Sequence, residues 1–159
     1  MTYLNLSYGK NPQAIYTVNT SAQTTSTTAN TYITVNGSTI SYTPDSTASK
    51  VVYEIGFYAE IKNKHGFQHI ILEWNNSGWE QPDVKFGKNF GVFGNGQYFR
   101  DFLCMRYIIP TWSGSRDLRL RSSPHYSNYD ATYHQVTDWD GSGSITNRFC
   151  NTNLLVYSI

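Results

Sequence analysis

The fold of this chain follows from the stretch KVVYEIGFYAEI, residues 50–61. Apolar side chains occupy every second position of this stretch: Val51, Tyr53, Ile55, Phe57, Ala59 and Ile61. Glu54 and Glu60 lie at positions between them. Because successive side chains of a β-strand point to opposite faces, this period of two predicts a long strand with one face in the core and both glutamates facing water.

Other segments carry similar strand signals. Further strands are predicted at residues 68–74, 98–109, 117–121 and 153–159. Asn36-Gly37 lies between two short β-type runs and predicts a hairpin at that point. Where the strands alternate, the core is expected to contain Val51, Tyr53, Ile55, Phe57, Ile70, Leu72, Leu118 and Leu120.

Length and composition bound the architecture. The 159 residues suffice for one domain with a real core. Charged residues make up only 14% of the chain, aromatic residues reach 16%, and Ser, Thr and Asn together number 47. Ser and Asn compete with helical hydrogen bonds and Thr loses χ1 freedom in helices, so the composition favours strands. We therefore expect an all-β, antiparallel sandwich or barrel of about eight to ten strands.

Charge and cysteine content exclude several classes of function. A net charge of +1 gives no global attraction to nucleic acid. The sequence shows neither a secretory signal nor an apolar run long enough to span a bilayer. Cys104 and Cys150 match no zinc spacing, and both are expected to be reduced, Cys104 as a small buried hydrophobe. A disulfide between them is the alternative if the protein is exposed outside cells.

Four segments, in order, resemble a known family. They are TISYTPDSTASKVV (39–52), RYIIP (106–110), SGSRDLRLRS (113–122) and TNLLVYSI (152–159). In order and spacing they resemble the opening, the proline turn, the arginine-bearing strand and the final strand of small jelly-roll structural proteins of tailed bacteriophages.

The resemblance implies an all-β, antiparallel jelly-roll β-sandwich of the tumour-necrosis-factor and C1q type, usually a homotrimer. Its implied function is non-enzymatic: a knob or decoration protein on the virion surface, with the major capsid protein or other virion proteins as partners. Residues 1–30 are then an N-terminal arm and polar crossing segment, and residues 31–159 are the jelly-roll domain. The start of the arm is expected to be either an anchor or an ordinary edge strand. Because heptads and collagen-like repeats are absent, a tail-fibre head that binds host-surface glycans is the second interpretation, and a secreted carbohydrate-binding module the third.

Two segments are apolar on both faces, which predicts that one face is buried by other copies of the chain. The first is the strand before Pro110, and the second is the final strand. The sequence alone permits a dimer, whereas the resemblance implies a trimer. The predicted oligomer interface contains Phe102, Cys104, Ile108, Leu155, Tyr157 and Ile159, with Tyr157 nearest the axis.

Two further sets of residues are candidate contacts. Alternation places Arg119 and Arg121 on the outer side of their strand. With Arg116 they are predicted to contact the capsid or another subunit, pairing with acidic loops such as Asp138 and Asp140, or else to be solvated surface arginines. Rings beside turns can stack on sugars, or else pack under loops. The candidate glycan contacts are Trp79, Trp112, Trp139 and Tyr129.

The sequence predicts no catalytic residue, no cofactor and no metal site. His65 and His69 are four residues apart, but they lie across a turn rather than on a helix. The Asp138 loop lacks the glutamate that a calcium loop needs. Glu73 and Glu80 flank a tight turn and can converge, but no nucleophile or phosphate-binding motif accompanies them.

Overall fold

The computed structural model describes residues 9–61, 67–82, 87–91, 99–128, 130–139 and 145–159, and these residues contain strands and no α-helix. The all-β prediction is therefore confirmed. The strands are β1 (Lys10–Thr17), β2 (Gln23–Thr24), β3 (Ile33–Thr34), β4 (Ile40–Tyr42), β5 (Lys50–Ile61), β6 (Phe67–Asn75), β7 (Trp79–Glu80), β8 (Gly87–Gly91), β9 (Phe99–Pro110), β10 (Arg116–Pro124), β11 (Thr132–Tyr133), β12 (Gln135–Trp139), β13 (Ile145–Phe149) and β14 (Thr152–Ser158).

The strands form two six-stranded antiparallel sheets and one short hairpin. In sheet A, β5 pairs along its whole length with β9. On its other edge, β5 pairs with β14 over residues 51–56 and with β11 over residues 59–60. Strand β14 also pairs with β1, and β11 also pairs with β2. In sheet B, β10 lies between β6 on one side and β3 and β4 on the other, and β6 also pairs with β7 and β8. Strands β12 and β13 pair with each other.

One hydrophobic core joins the inner faces of sheets A and B. All eight residues predicted for the core are at most 2% exposed, and they come from β5, β6 and β10. Aromatic rings meet edge to face in this layer, for example Phe57 and Tyr133 with ring centroids 5.4 Å apart. The alternation in residues 50–61 thus identifies the inner face of the central strand.

The predicted hairpin at Asn36-Gly37 is wrong, although a turn is present there. Gly37 has φ = 75°, and the Ser38 N–H donates to the Val35 carbonyl at 3.2 Å. The flanking strands β3 and β4 do not pair with each other; both pair with β10. The turn is therefore a bulge within one interrupted strand, because the partner of a strand is decided by the rest of the sheet rather than by the local turn.

The N-terminal region contributes to the sandwich from residue 10 onward. Strand β1 pairs with β14 at the edge of sheet A, so this part of the expected arm is an edge strand. In the polar stretch 19–31, β2 pairs with β11, and the Thr25 side chain is buried and accepts from the Ala131 N–H at 2.7 Å. No helix that is long and apolar enough to cross a membrane occurs in the part of the chain that the structure describes.

Candidate functional site

The outer face of sheet A is the candidate site. Its central row is the alternate set of β5 positions, Val52, Glu54, Gly56 and Tyr58, which point away from the core. Paired residues share a face, so the register extends this row onto β9 and β14. All six residues predicted as an oligomer interface lie at positions of this outer face: Phe102, Cys104 and Ile108 on β9, Leu155 and Tyr157 on β14, and Ile159 just beyond it.

Much of this face is apolar and accessible to solvent. Phe102 is 42% exposed and Ile108 is 46% exposed, and Ile159 is exposed to the same extent as Ile108. Leu155 and Tyr157 are half-buried. Cys104 is a free, exposed thiol, which contradicts the expectation that it is buried but agrees with the reduced state. Large apolar side chains at adjacent positions of one face are typical of an interaction surface.

A groove of about 860 Å³ crosses this face. Gly56 forms its floor, with Leu155 on one side and Phe102 and Cys104 on the other. A Cβ at Gly56 would lie 2.7 Å from Cε1 of Phe102, so only glycine allows that ring to lie over β5. From β1, Ala14 extends the apolar lining across the sheet.

Three polar side chains form a cluster within the apolar face. The Arg106 Nε lies 2.9 Å from Oε1 of Glu54, and its Nη2 donates to the Tyr157 hydroxyl at 3.0 Å. That hydroxyl in turn donates to Glu54 at 3.3 Å. Burial, together with the nearby Glu54 carboxylate, raises the pKa of Tyr157, so the phenol keeps its proton. The cluster satisfies the polar groups that this face would carry into an interface.

The two glutamates of β5 are less exposed to solvent than the sequence predicted. Glu54 is half-buried and Glu60 is only 1% exposed, so neither simply faces water. The Arg100 Nε, on the paired position of β9, lies 2.7 Å from Oε1 of Glu60. A buried carboxylate requires such a partner, and the sequence could not reveal it because the partner is 40 residues away.

The three candidate arginines of β10 are engaged within the chain. Arg119 and Arg121 lie on the outer side of sheet B, as alternation predicts, and both pair with Glu73, at 2.8 and 3.4 Å. Both arginines are thus paired with a residue of the neighbouring strand β6 in the same chain. Asp140 and the side chain of Asp138, the partners suggested by the sequence, lie outside the described residues.

Each of these arginines also contacts an aromatic ring. The guanidinium of Arg119 lies 3.7 Å from the centroid of Trp79, that of Arg116 lies 4.4 Å from Trp74, and that of Arg121 lies 5.6 Å from Tyr32. Planar guanidinium groups stack well on such rings. These contacts link β10 to side chains of β6 and β7 and to Tyr32 just before β3.

The structure does not bring the described glycan candidates together. Trp79 is 38% exposed and pairs with Asn75 on the outer face, where Arg119 covers its ring. Trp112 packs edge to face against Tyr42 and Trp74 on the core side. Tyr129 and the Trp139 side chain lie outside the described residues.

Glu73 and Glu80, the acidic pair considered above, are likewise not brought together by the structure. Trp74 pairs with Glu80, whereas Glu73 precedes Trp74 and points to the opposite face, so the two carboxylates do not converge. Among the described residues, no group of three or more His, Cys, Asp or Glu side chains could hold a metal ion. His65, of the histidine pair considered above, lies outside them.

Known proteins do not supply a function for this site. No family model matches the chain, and a comparison with curated proteins finds no significant sequence similarity.

Proposed function

We propose that this protein is a non-enzymatic structural protein that assembles as a homotrimer through the outer face of sheet A, and that it decorates the virion surface of a tailed bacteriophage. The observation that carries the self-association is the gathering of exposed apolar side chains on this one face, beside the groove over Gly56. The virion location and the contact with the major capsid protein rest on the sequence resemblance.

We further propose that the sandwich is a jelly roll, which the strand pairing supports. Taking β3 and β4 as one interrupted strand, the eight main strands in chain order are β1, β3/β4, β5, β6, β8, β9, β10 and β14. The first pairs with the eighth, the second with the seventh, the third with the sixth and the fourth with the fifth. A long hairpin of four nested pairs, wrapped into two sheets, is the jelly-roll arrangement.

Tyr157 is the residue on which this assembly is best tested. It is half-buried beside exposed apolar neighbours, and its hydroxyl already has partners in Glu54 and Arg106. Packing its ring against another copy therefore leaves no polar group unsatisfied. An aspartate at this position would place a second carboxylate beside Glu54 within the interface, where like charges repel.

Light scattering with size-exclusion chromatography measures the assembly directly. The purified protein is expected at three times 18.1 kDa, about 54 kDa, at micromolar concentration. Tyr157→Asp and Phe102→Asp should shift it to monomer, whereas Tyr126→Asp, at an exposed position of the loop after β10, should remain a trimer. Circular dichroism confirms that each variant is folded. A wild-type monomer would overturn the proposed assembly.

The location is tested separately by cryo-electron microscopy of virions that carry the protein. Threefold density on the capsid surface would support the decoration function. Density at a tail tip would favour the fibre-head interpretation instead, and absence from virions would contradict both.

A further inference from the structure

His69 and His125 meet on the outer face of sheet B, which is remote from the proposed trimer surface and independent of it. His69 lies on β6, with Asn89 of β8 at the paired position. His125 directly follows β10, and its backbone N–H donates to the Phe67 carbonyl at 2.8 Å. The backbone of three strands therefore holds the two imidazoles together, with ring centroids 4.8 Å apart.

Hydrogen bonds assign the protons of this pair. The His69 Nδ1 lies 2.5 Å from Oδ1 of Asn89, and an amide oxygen only accepts, so Nδ1 carries the proton. The His69 Nε2 then has a lone pair, which lies 2.6 Å from Nδ1 of His125. In the neutral pair, His125 Nδ1–H donates to His69 Nε2.

A histidine whose second ring nitrogen donates to a fixed oxygen is the usual arrangement of a metal ligand, because that bond sets the tautomer and the ring orientation. We propose that His69 Nε2 and His125 Nδ1 form a two-histidine site for a divalent transition-metal ion such as Zn²⁺, with water in the remaining coordination positions. Neutral imidazole nitrogens suit this class of ion. When the metal binds, the His125 proton moves from Nδ1 to Nε2, so the neutral pair releases no proton.

Metal binding requires the two rings to separate and to turn. Zn–N distances of about 2.0–2.1 Å and a tetrahedral angle separate two ligating nitrogens by roughly 3.3 Å. The present separation is 2.6 Å, and the two nitrogens point at each other in a hydrogen bond, so the rings must move apart by several tenths of an ångström and turn by roughly 35° to face a common ion. His125 is exposed, and besides His69 its ring meets Phe67 and Tyr126 edge to face, whereas Asn89 holds His69 in place. His125 is the ring that moves.

Titration calorimetry with ZnCl₂ near pH 8 tests the site. The full chain is expected to bind one ion, and His69→Gln and His125→Gln should each weaken binding by at least tenfold. Asn89→Leu should weaken binding by about tenfold, and Asn89→Asp should strengthen it, because a carboxylate partner makes the His69 imidazole a better ligand. His134→Asn, which removes a histidine buried elsewhere, should bind as the wild type does.

A second measurement reports the ligand atoms. In ¹⁵N NMR spectra of the imidazole rings, Zn²⁺ should convert His125 from the Nδ1–H to the Nε2–H tautomer and leave His69 as the Nδ1–H tautomer. No binding of Zn²⁺, binding that survives both glutamine substitutions, or an unchanged His125 tautomer would overturn the proposal.

Discussion

Lowering the pH should destabilise this protein through one buried histidine. His134 connects β11 to β12 and is fully buried, with its ring nitrogens 3.2 Å from Oγ1 of Thr152 and 3.3 Å from Oε1 of Gln23. Burial lowers the pKa of His134 from 6.5 to about 4. The folded state therefore keeps the ring neutral at pH values where the unfolded chain is protonated.

The size of the effect follows from the two pKa values. A folded pKa below the unfolded one means that the proton binds the unfolded chain more tightly, so stability falls as the pH drops from about 6.5 towards 4. Between pH 7 and pH 5 this single group should remove about 2 kcal/mol from the free energy of unfolding.

Urea unfolding at pH 7 and pH 5 measures this loss, with His134→Asn as the matched variant. Asparagine accepts the left-handed backbone of this position, φ = 66°, better than most residues, and it does not titrate. At pH 7 the variant should have a lower free energy of unfolding than the wild type. Between pH 7 and pH 5 its free energy of unfolding should fall by about 2 kcal/mol less than that of the wild type. All other ionisable groups are the same in the two proteins, so their contributions cancel in the comparison. Equal losses in the two proteins would refute the argument.

Two further predictions concern the core and the arginine strand. Ile55→Ala should lower the free energy of unfolding by about 2–5 kcal/mol, because the side chain is 2% exposed between the sheets. A loss below about 0.5 kcal/mol would contradict that packing. Arg119→Glu should cost about 1–3 kcal/mol in urea unfolding, since it places a like charge beside the buried Glu73, and the swap with Glu73→Arg should recover part of the loss. If reversal of Arg119 and Arg121 left assembly and virion incorporation unchanged, the interface interpretation of these arginines would be wrong.

Local patterns predicted the strands and their faces well. The alternation of residues 50–61 is a property of one strand facing one core, so Ile55 and its alternate neighbours could be assigned without knowing any partner. The same logic placed Phe102 and Tyr157 on faces away from the core.

Properties that depend on distant partners could not be predicted. Asn36-Gly37 suits both a hairpin turn and a bulge within a strand, and here the pairing of β3 and β4 with β10 makes it a bulge. His69 and His125 are 56 residues apart, and nothing local indicates that one ring meets the other. The groove over Gly56 likewise exists only because β9 brings the Phe102 ring across it.

The nesting of the four strand pairs implies an order of folding. The pair β6–β8 encloses the shortest loop, β5–β9 encloses that pair, and β1–β14 encloses nearly all the rest. Closing a loop costs more conformational entropy as it lengthens, so each inner pair lowers the cost of the next. We expect the inner strand pairs to form first and the outer pairs to follow, so that β1 pairs with β14 last. Changes in β6 should then slow folding, whereas changes in β1 should mainly accelerate unfolding.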